Sequence, residues 1–241
     1  MLLKDLSFKT PEENILFDEV LLHLAEQGNS GEVLRLWESS LLFIVLGKTG
    51  VLEEDVYLER TRQEKIPILR RSSGGGTVVQ GKGCLNFSLL LCKQTHPALP
   101  DLRKSYAYIL EKVIEALSRL NVDAVFKPVS DLALRASEKK ISGNAQRRAR
   151  NFILHHGTVL YDFDLSIMER FLKMPEKVPE YRRGRPHRDF VENIPCSAED
   201  IKAALAQIFQ VEKEQSSLSN QEEACLKEFL KSSLTQEPST I

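Results

Sequence analysis

The stretch Arg70–Ser88, RRSSGGGTVVQGKGCLNFS, constrains this chain more than any other. Two arginines and two serines run into three consecutive glycines. A branched, strand-like run follows at Thr77–Val79, then a second break at Gly81 and Gly83. Glycine has no Cβ, so its amide can approach a ligand closely and its φ can be positive. Successive amides can then converge on an anion while adjacent guanidiniums clamp it. The alternative is a glycine-rich hairpin with solvated arginines; so many features within one short window favour the anion loop. The segment is not a P-loop. The Ser/Thr that would hold magnesium after Lys82 is missing. The flanks also read as strands, whereas a P-loop opens a helix.

A length of 241 residues allows one large domain or two small ones, and 42% hydrophobic residues suffice for a core. The net charge of −1 gives no electrostatic footprint for nucleic acid. No apolar run approaches the ~18 residues of a membrane span. The N-terminus, MLLKDLSFKTPEEN, lacks a signal-peptide core. Cys84, Cys92, Cys196 and Cys225 show no CxxC spacing, which argues against a zinc site and a disulfide framework. A cytoplasmic location is expected, with no membrane partner.

Taken in order, Thr10-Pro11-Glu12-Glu13 starts a helix with a capping box, ending near Gly28-Asn29. Glu32–Trp37 and Leu41–Gly47 read as a strand pair. Trp37, the only tryptophan, is either core or pocket wall. Glu53–Lys65 reads as a charged helix, and Cys84–Cys92 as the strand leaving the glycine loop. Leu102–Leu120 places Leu102, Tyr106, Ile109, Val113, Leu117 and Leu120 on one helix face. Val122–Phe126 is a strand, and Pro128–Leu134 leads into another.

The second informative stretch is Lys139–Asp164, KKISGNAQRRARNFILHHGTVLYDFD. It is expected to turn at Ser142-Gly143-Asn144 and then run as a strand through His155-His156-Gly157. Adjacent histidines on a strand face opposite ways, so they cannot both ligate one metal. Glu180–Asn193, EYRRGRPHRDFVEN, is a basic, turn-rich loop with one buried-looking aromatic, Phe190. Ser197 caps a helix to about Gln210, a last helix covers Asn220–Lys231, and the tail Ser232–Ile241 is expected to fray.

These motifs resemble those of the lipoate–protein ligases and lipoyl/octanoyl transferases, relatives of biotin protein ligases. The resemblance runs from about Asn14 to Asn193. It is carried by Arg70-Arg71-Ser72-Ser73-Gly74-Gly75-Gly76, Gly83–Asn86, Lys140-Ile141-Ser142-Gly143-Asn144-Ala145-Gln146 and His155-His156-Gly157-Thr158. It implies an α+β catalytic domain, with a mixed, largely antiparallel sheet flanked by helices, over residues 1–195. A short helical extension would occupy 196–241. It also implies a substrate and ATP site made from Arg70, Ser73, Gly74, Gly75, Gly76, Asn86, Asp131, Ser142, Gly143, Asn144, His156, Gly157 and Thr158. Trp37, Val79 and Gln80 would form the pocket wall, and Lys140 would be the catalytic lysine touching the carboxylate and phosphate of an acyl-adenylate. Asp131 is a candidate contact near the adenine or metal, or else a turn cap. Arg70 is expected to face inward with Arg71 on the other side, although parity alone does not say which is which.

The resemblance further implies ATP and Mg2+ as cofactors, with the magnesium held by phosphates and not by a protein metal site. Lipoate or octanoate would be the acyl substrate. Lipoyl carrier domains of 2-oxoacid dehydrogenase complexes, or the glycine cleavage H protein, would be the acceptors. An accessory chain could replace the C-terminal domain of the longer ligases. Two departures stand out. Gln80-Gly81 occupies the place of a His-Asp pair found in many relatives, so no acid/base role is carried over there. Phe126–Lys140 contains no cysteine, whereas some octanoyl transferases use one there as an acyl acceptor. This favours an adenylating ligase over an ATP-independent acyltransferase; a non-catalytic acyl- or carrier-binding module is the third reading.

Overall fold

The structure is a computed structural model that describes residues 1–176 and 178–235. Strand β1 (Leu2–Asp5) precedes helix α1 (Pro11–Glu26), β2 (Val33–Trp37) and β3 (Phe43–Leu46). Two short helices follow, α2 (Leu52–Asp55) and α3 (Leu58–Gln63), then β4 (Ile68–Arg70), β5 (Val78–Gln80) and β6 (Cys84–Cys92). After α4 (Leu102–Ser118) come β7 (Ala124–Lys127), β8 (Asp131–Leu134), β9 (Lys140–Arg148) and β10 (Phe152–Leu160). The chain closes with α5 (Ser166–Phe171), a 3-10 turn at Glu180–Arg182, α6 (His187–Phe190), α7 (Ala198–Ile208), β11 (Lys213–Glu214) and α8 (Asn220–Thr235).

Eight strands form one mixed sheet in the order β11-β1-β2-β6-β10-β9-β8-β7; β4, β3 and β5 form a second, smaller one. In the large sheet every pairing from β2 through β6, β10, β9 and β8 to β7 is antiparallel, and β1 pairs in parallel with β2 and β11. The fold is therefore the expected α+β arrangement. Thr10 caps α1 through a complete capping box, a feature that stabilises a helix start by about 1 kcal/mol.

Strand β6 is the spine, and its side chains alternate between faces. Leu85, Phe87, Leu89 and Leu91 join the core under α4 and α7, whereas Leu90 packs with α1 and α8. Between these layers, Asn86 and Ser88 lie on the same face as Leu90, where the helices give way to a cavity. β10 repeats the alternation. Ile153 and Val159 enter the α4/α7 core, and Leu154 enters the α1/α8 core. His156 and Thr158 reach the cavity.

Several expectations are corrected. β2 and β3 are not a pair: β2 sits between β1 and β6 in the large sheet, and β3 between β4 and β5 in the small one. Alternation marks a strand but not its partner. Ser142–Asn144 is not a turn, because it lies inside β9 opposite Gly157–Val159. The charged segment at 53–65 forms two short helices broken at Val56, which is fully buried and bridges to Leu172. Leu102 is 52% exposed and does not join the inward face of α4. Beyond residue 195, Ile201, Leu205 and Ile208 of α7 belong to the main core, and β11 extends the sheet. Residues 232–235 of the tail expected to fray complete α8; 236–241 lie outside the described residues. Among the described residues no helix is long and apolar enough to cross a membrane.

Candidate active site

A cavity of about 710 Å³ lies over the face of β2, β6, β10, β9 and β8 and under the small sheet. That is a usual volume for a small-molecule site. Strand order fixes its long axis. Ile15 and Trp37 stand at the β2 end, Asp131 and Lys140 at the β8/β9 end. Four strand spacings of about 4.8 Å separate them, roughly 19 Å. One end carries Ile15, Trp37 and Val45; the other carries the Lys140–Asp131 ion pair beside Phe190 and Val191.

The glycine loop joins β4 to β5 and forms one wall. Its internal brace is Arg71, which is buried. Arg71 Nη2 donates to Gly74 O at 2.7 Å and Gly76 O at 2.8 Å, and Nε donates to Ser73 Oγ at 3.1 Å. Burial lowers the Arg71 pKa to about 10, so it stays charged at neutral pH. Gly75 has φ +88°, and a Cβ there would stand 2.9 Å from Arg71 Nη2. Gly47 of the neighbouring turn is tighter still, since a Cβ there would run into the carbonyl oxygen of Gly75. Arg70 does not reach the cavity. It is exposed, and its Nη1 donates to the carbonyls of Gly47 and Gly50, each at 2.9 Å. The expected orientation of the two arginines is thus reversed.

Behind the loop lies a polar network that sequence reasoning missed. Ser73 Oγ is 2.6 Å from His156 Nε2, and His156 Nδ1 lies 3.7 Å from Asp18 Oδ2. Asp18 also accepts from Ser88 at 2.6 Å and from Arg35 at 2.7 Å. Arg35 is fully buried, faces the Trp37 ring at 5.0 Å and donates to Asn14 O. Burial alone would raise the Asp18 pKa; Arg35, His156 and Ser88 together hold it below the usual carboxylate range. Breaking such a pair by removing one partner costs about 3–5 kcal/mol. The signal was present: Asn14 and Asp18 are polar one turn apart on an apolar helix, and Arg35 interrupts the apolar strand VLRLW.

At the opposite end, Lys140 Nζ sits 2.8 Å from Asp131 Oδ1 and is partly exposed to the cavity. Asp131 Oδ2 accepts from the Tyr181 hydroxyl at 2.7 Å. Burial and the adjacent Asp131 push the Tyr181 pKa well up, so the phenol stays a donor. Asp131 opens β8, directly after the turn at residues 128–130. Gly143 lies beneath the lysine, because a Cβ there would be 2.8 Å from Lys140 Nζ. A third cluster is neutral. Gln80 Nε2 donates to Thr158 Oγ1 at 3.0 Å, Thr158 to Asn86 Oδ1 at 3.0 Å, and Asn86 Nδ2 to Gln80 Oε1 at 3.1 Å. Asn144 bridges Ser142 Oγ, Ser130 O and the buried His155.

Of the residues named from sequence, Trp37, Gly75, Gly76, Val79, Gln80, Asn86, Asp131, Lys140, Ser142, Gly143, Asn144, His156, Gly157 and Thr158 line the cavity. Ser73 and Gly74 stand behind it, tied through His156 and Arg71. Arg70 stands away from it. Among the described residues no three His, Cys, Asp or Glu side chains are grouped to hold a metal.

Residues 10–211 match the family model for the lipoyl protein ligase A/B catalytic domain. This chain belongs to that family. A relative named "Probable lipoate-protein ligase A" from Mycoplasma pneumoniae is 29% identical over 164 residues, covering 68% of this chain and 46% of that protein. This chain thus spans about half the length of such ligase relatives. The octanoyltransferase LipM of Geobacillus kaustophilus is 27% identical over 209 residues, covering 77% of this chain and 73% of the relative. Solved structures share the lipoyl-ligase fold. A lipoate-protein ligase A bound with ATP has a TM-score of 0.81 at 24% identity, with 98% of this chain and 96% of that one covered. The Thermoplasma acidophilum structure described as a bi-partite lipoate protein ligase with its E2 lipoyl domain has a TM-score of 0.78 at 23% identity, covering 96% and 93%.

Proposed function

We propose that this lipoyl-ligase-family protein is an adenylating lipoate–protein ligase. The observation that carries this reading is the ammonium of Lys140, held by Asp131 at one end of a long pocket whose other end carries Ile15, Trp37 and Val45. A medium-length acyl chain suits the Ile15–Trp37–Val45 end, which directs its carboxylate toward Lys140. A carboxylate oxygen then attacks the α-phosphorus of ATP. The bond to pyrophosphate breaks, and Lys140 with the loop amides stabilises the charge that gathers on phosphate. The lysine amine of a lipoyl carrier domain attacks the acyl carbon, AMP leaves, and the amine proton goes to solvent. Asp131 and Tyr181 act by aiming Lys140. Magnesium would travel with the nucleotide phosphates.

The ATP-independent octanoyltransferase is the second reading, favoured by the likeness to LipM. A thiol acyl acceptor is hard to place in this cavity. Cys84 is buried with its pKa pushed well up by burial, and Cys92, Cys196 and Cys225 do not line the pocket. The unpaired thiols suit a reducing cytoplasm. The test is lipoate-dependent pyrophosphate release from ATP, run on wild type and on a variant with all four cysteines replaced. Retained release supports the ligase. A hydroxylamine-sensitive acyl-enzyme in wild type, with no pyrophosphate, assigns the transferase.

A further inference from the structure

The segment 180–193 is basic, and it builds one wall of the cavity. Arg182 Nε donates to Arg185 O at 2.8 Å, and Arg185 Nε donates back to Arg182 O at 3.1 Å. Both guanidiniums lie over the buried Phe190 ring, 4.7 and 5.4 Å from its centre. Arg185 Nη2 is further engaged by Tyr181 O and Glu138 O. Arg182 differs. It is 3% exposed, it lines the cavity, and its Nη2 has no hydrogen-bond partner. A buried charged donor without an acceptor is costly, and the stack on Phe190 keeps this one from turning away.

We propose that Arg182 is a phosphate-contacting residue, whose guanidinium pairs with a phosphate oxygen of the bound nucleotide beside Lys140. This rests on the adenylating reading. Charge selects phosphate over the acyl carboxylate. Lys140 is already paired with Asp131, whereas the Arg182 guanidinium keeps an N–H without an acceptor. A nucleotide, with several phosphate charges, calls for a second cation where a single carboxylate does not. Arg182 is also preorganised, so little ordering cost attends the contact.

Isothermal titration of wild type, Arg182→Lys and Arg182→Met with magnesium-ATP, AMP and octanoate tests this, with thermal melts alongside. Both variants should bind octanoate like wild type and ATP roughly ten- to a hundred-fold more weakly, the range for a lost charge-assisted hydrogen bond. A parallel loss for AMP places the contact at the α-phosphate; a loss for ATP alone places it further out. Wild-type ATP affinity in Arg182→Met overturns the assignment. Equal losses for ATP and octanoate also overturn it, because the arginine then only shapes the wall. If the methionine variant unfolds, the lysine variant decides. Wild type that binds octanoate but no ATP overturns the adenylating reading, and this proposal with it.

Discussion

Lys140 holds the pocket together in two ways: its ammonium meets Asp131 Oδ1 at 2.8 Å, and its carbonyl accepts the Glu192 amide at 2.9 Å. The first bond belongs to the side chain and the second to the backbone. Substitution therefore separates charge from architecture.

Lys140→Ala should abolish adenylate formation, with a loss of about 10²–10³ in rate or 3–4 kcal/mol. The wall at 180–193 keeps its backbone hook, so the melt should move little. Lys139→Ala should stay near wild type. Pyrophosphate exchange with lipoate checks both, and a dead Lys139→Ala beside an active Lys140→Ala would refute the assignment.

The two arginines before the glycine loop should behave unequally. Arg71→Lys loses the fork that joins the Gly74 and Gly76 carbonyls, and lysine cannot reproduce it. Binding of a non-hydrolysable acyl-adenylate should fall roughly tenfold or more. Arg70→Lys should be milder, since Arg70 is exposed and braces only the 47–50 turn. Gly75→Ala forces a side chain onto φ +88° and toward Arg71, a strain of roughly 1–2 kcal/mol. Its unfolding free energy should drop by that amount, with ligand binding falling further. Indistinguishable affinities for Arg70→Lys and Arg71→Lys would contradict the geometry.

His155 should make stability depend on pH. It is fully buried, and burial, with a smaller contribution from His156, lowers its pKa to about 3. Its neutral form is well housed. The Gln146 amide donates to Nδ1, and Nε2–H donates to Asn144 Oδ1. Unfolded histidine titrates near 6.5, so the unfolded state binds the extra proton first as pH falls. The stabilisation is therefore full above about 6.5 and drains away toward 3. Between pH 7 and 5 it amounts to roughly 2 kcal/mol. Denaturant unfolding of wild type and His155→Gln at both pH values measures it; identical pH slopes would count against a neutral buried imidazole.

Helix α1 and the strand β6 were readable in the sequence through local rules: a capping box and two-residue alternation. That the glycine loop shares a site with the Lys140 and His156 motifs was implied only by the family resemblance. What escaped depends on neighbours distant in sequence. Gly143 looked like a turn residue, yet it pairs with Thr158 inside β9, and the Lys140 side chain fills the space a Cβ would need. Parity showed that Arg70 and Arg71 face opposite ways, but only the position of the 47–50 turn reveals which faces the loop. The Asp18–Arg35 pair needs α1 laid against β2, and Arg182 needs Phe190 folded beneath it.

The cavity floor and the Arg182 wall should also differ in time. β6 and β10 are zipped together over nine consecutive residue pairs, Phe152–Leu160 against Cys84–Cys92. Among the described residues, 180–193 meets the sheet's backbone through one parallel bridge, Val191 beside Lys140, with the Glu192 amide on the Lys140 carbonyl. Deuterium would enter the floor's amides only with global unfolding and the wall's amides by local opening. A ligand could thus come and go on the wall's clock while the strands beneath it stay paired.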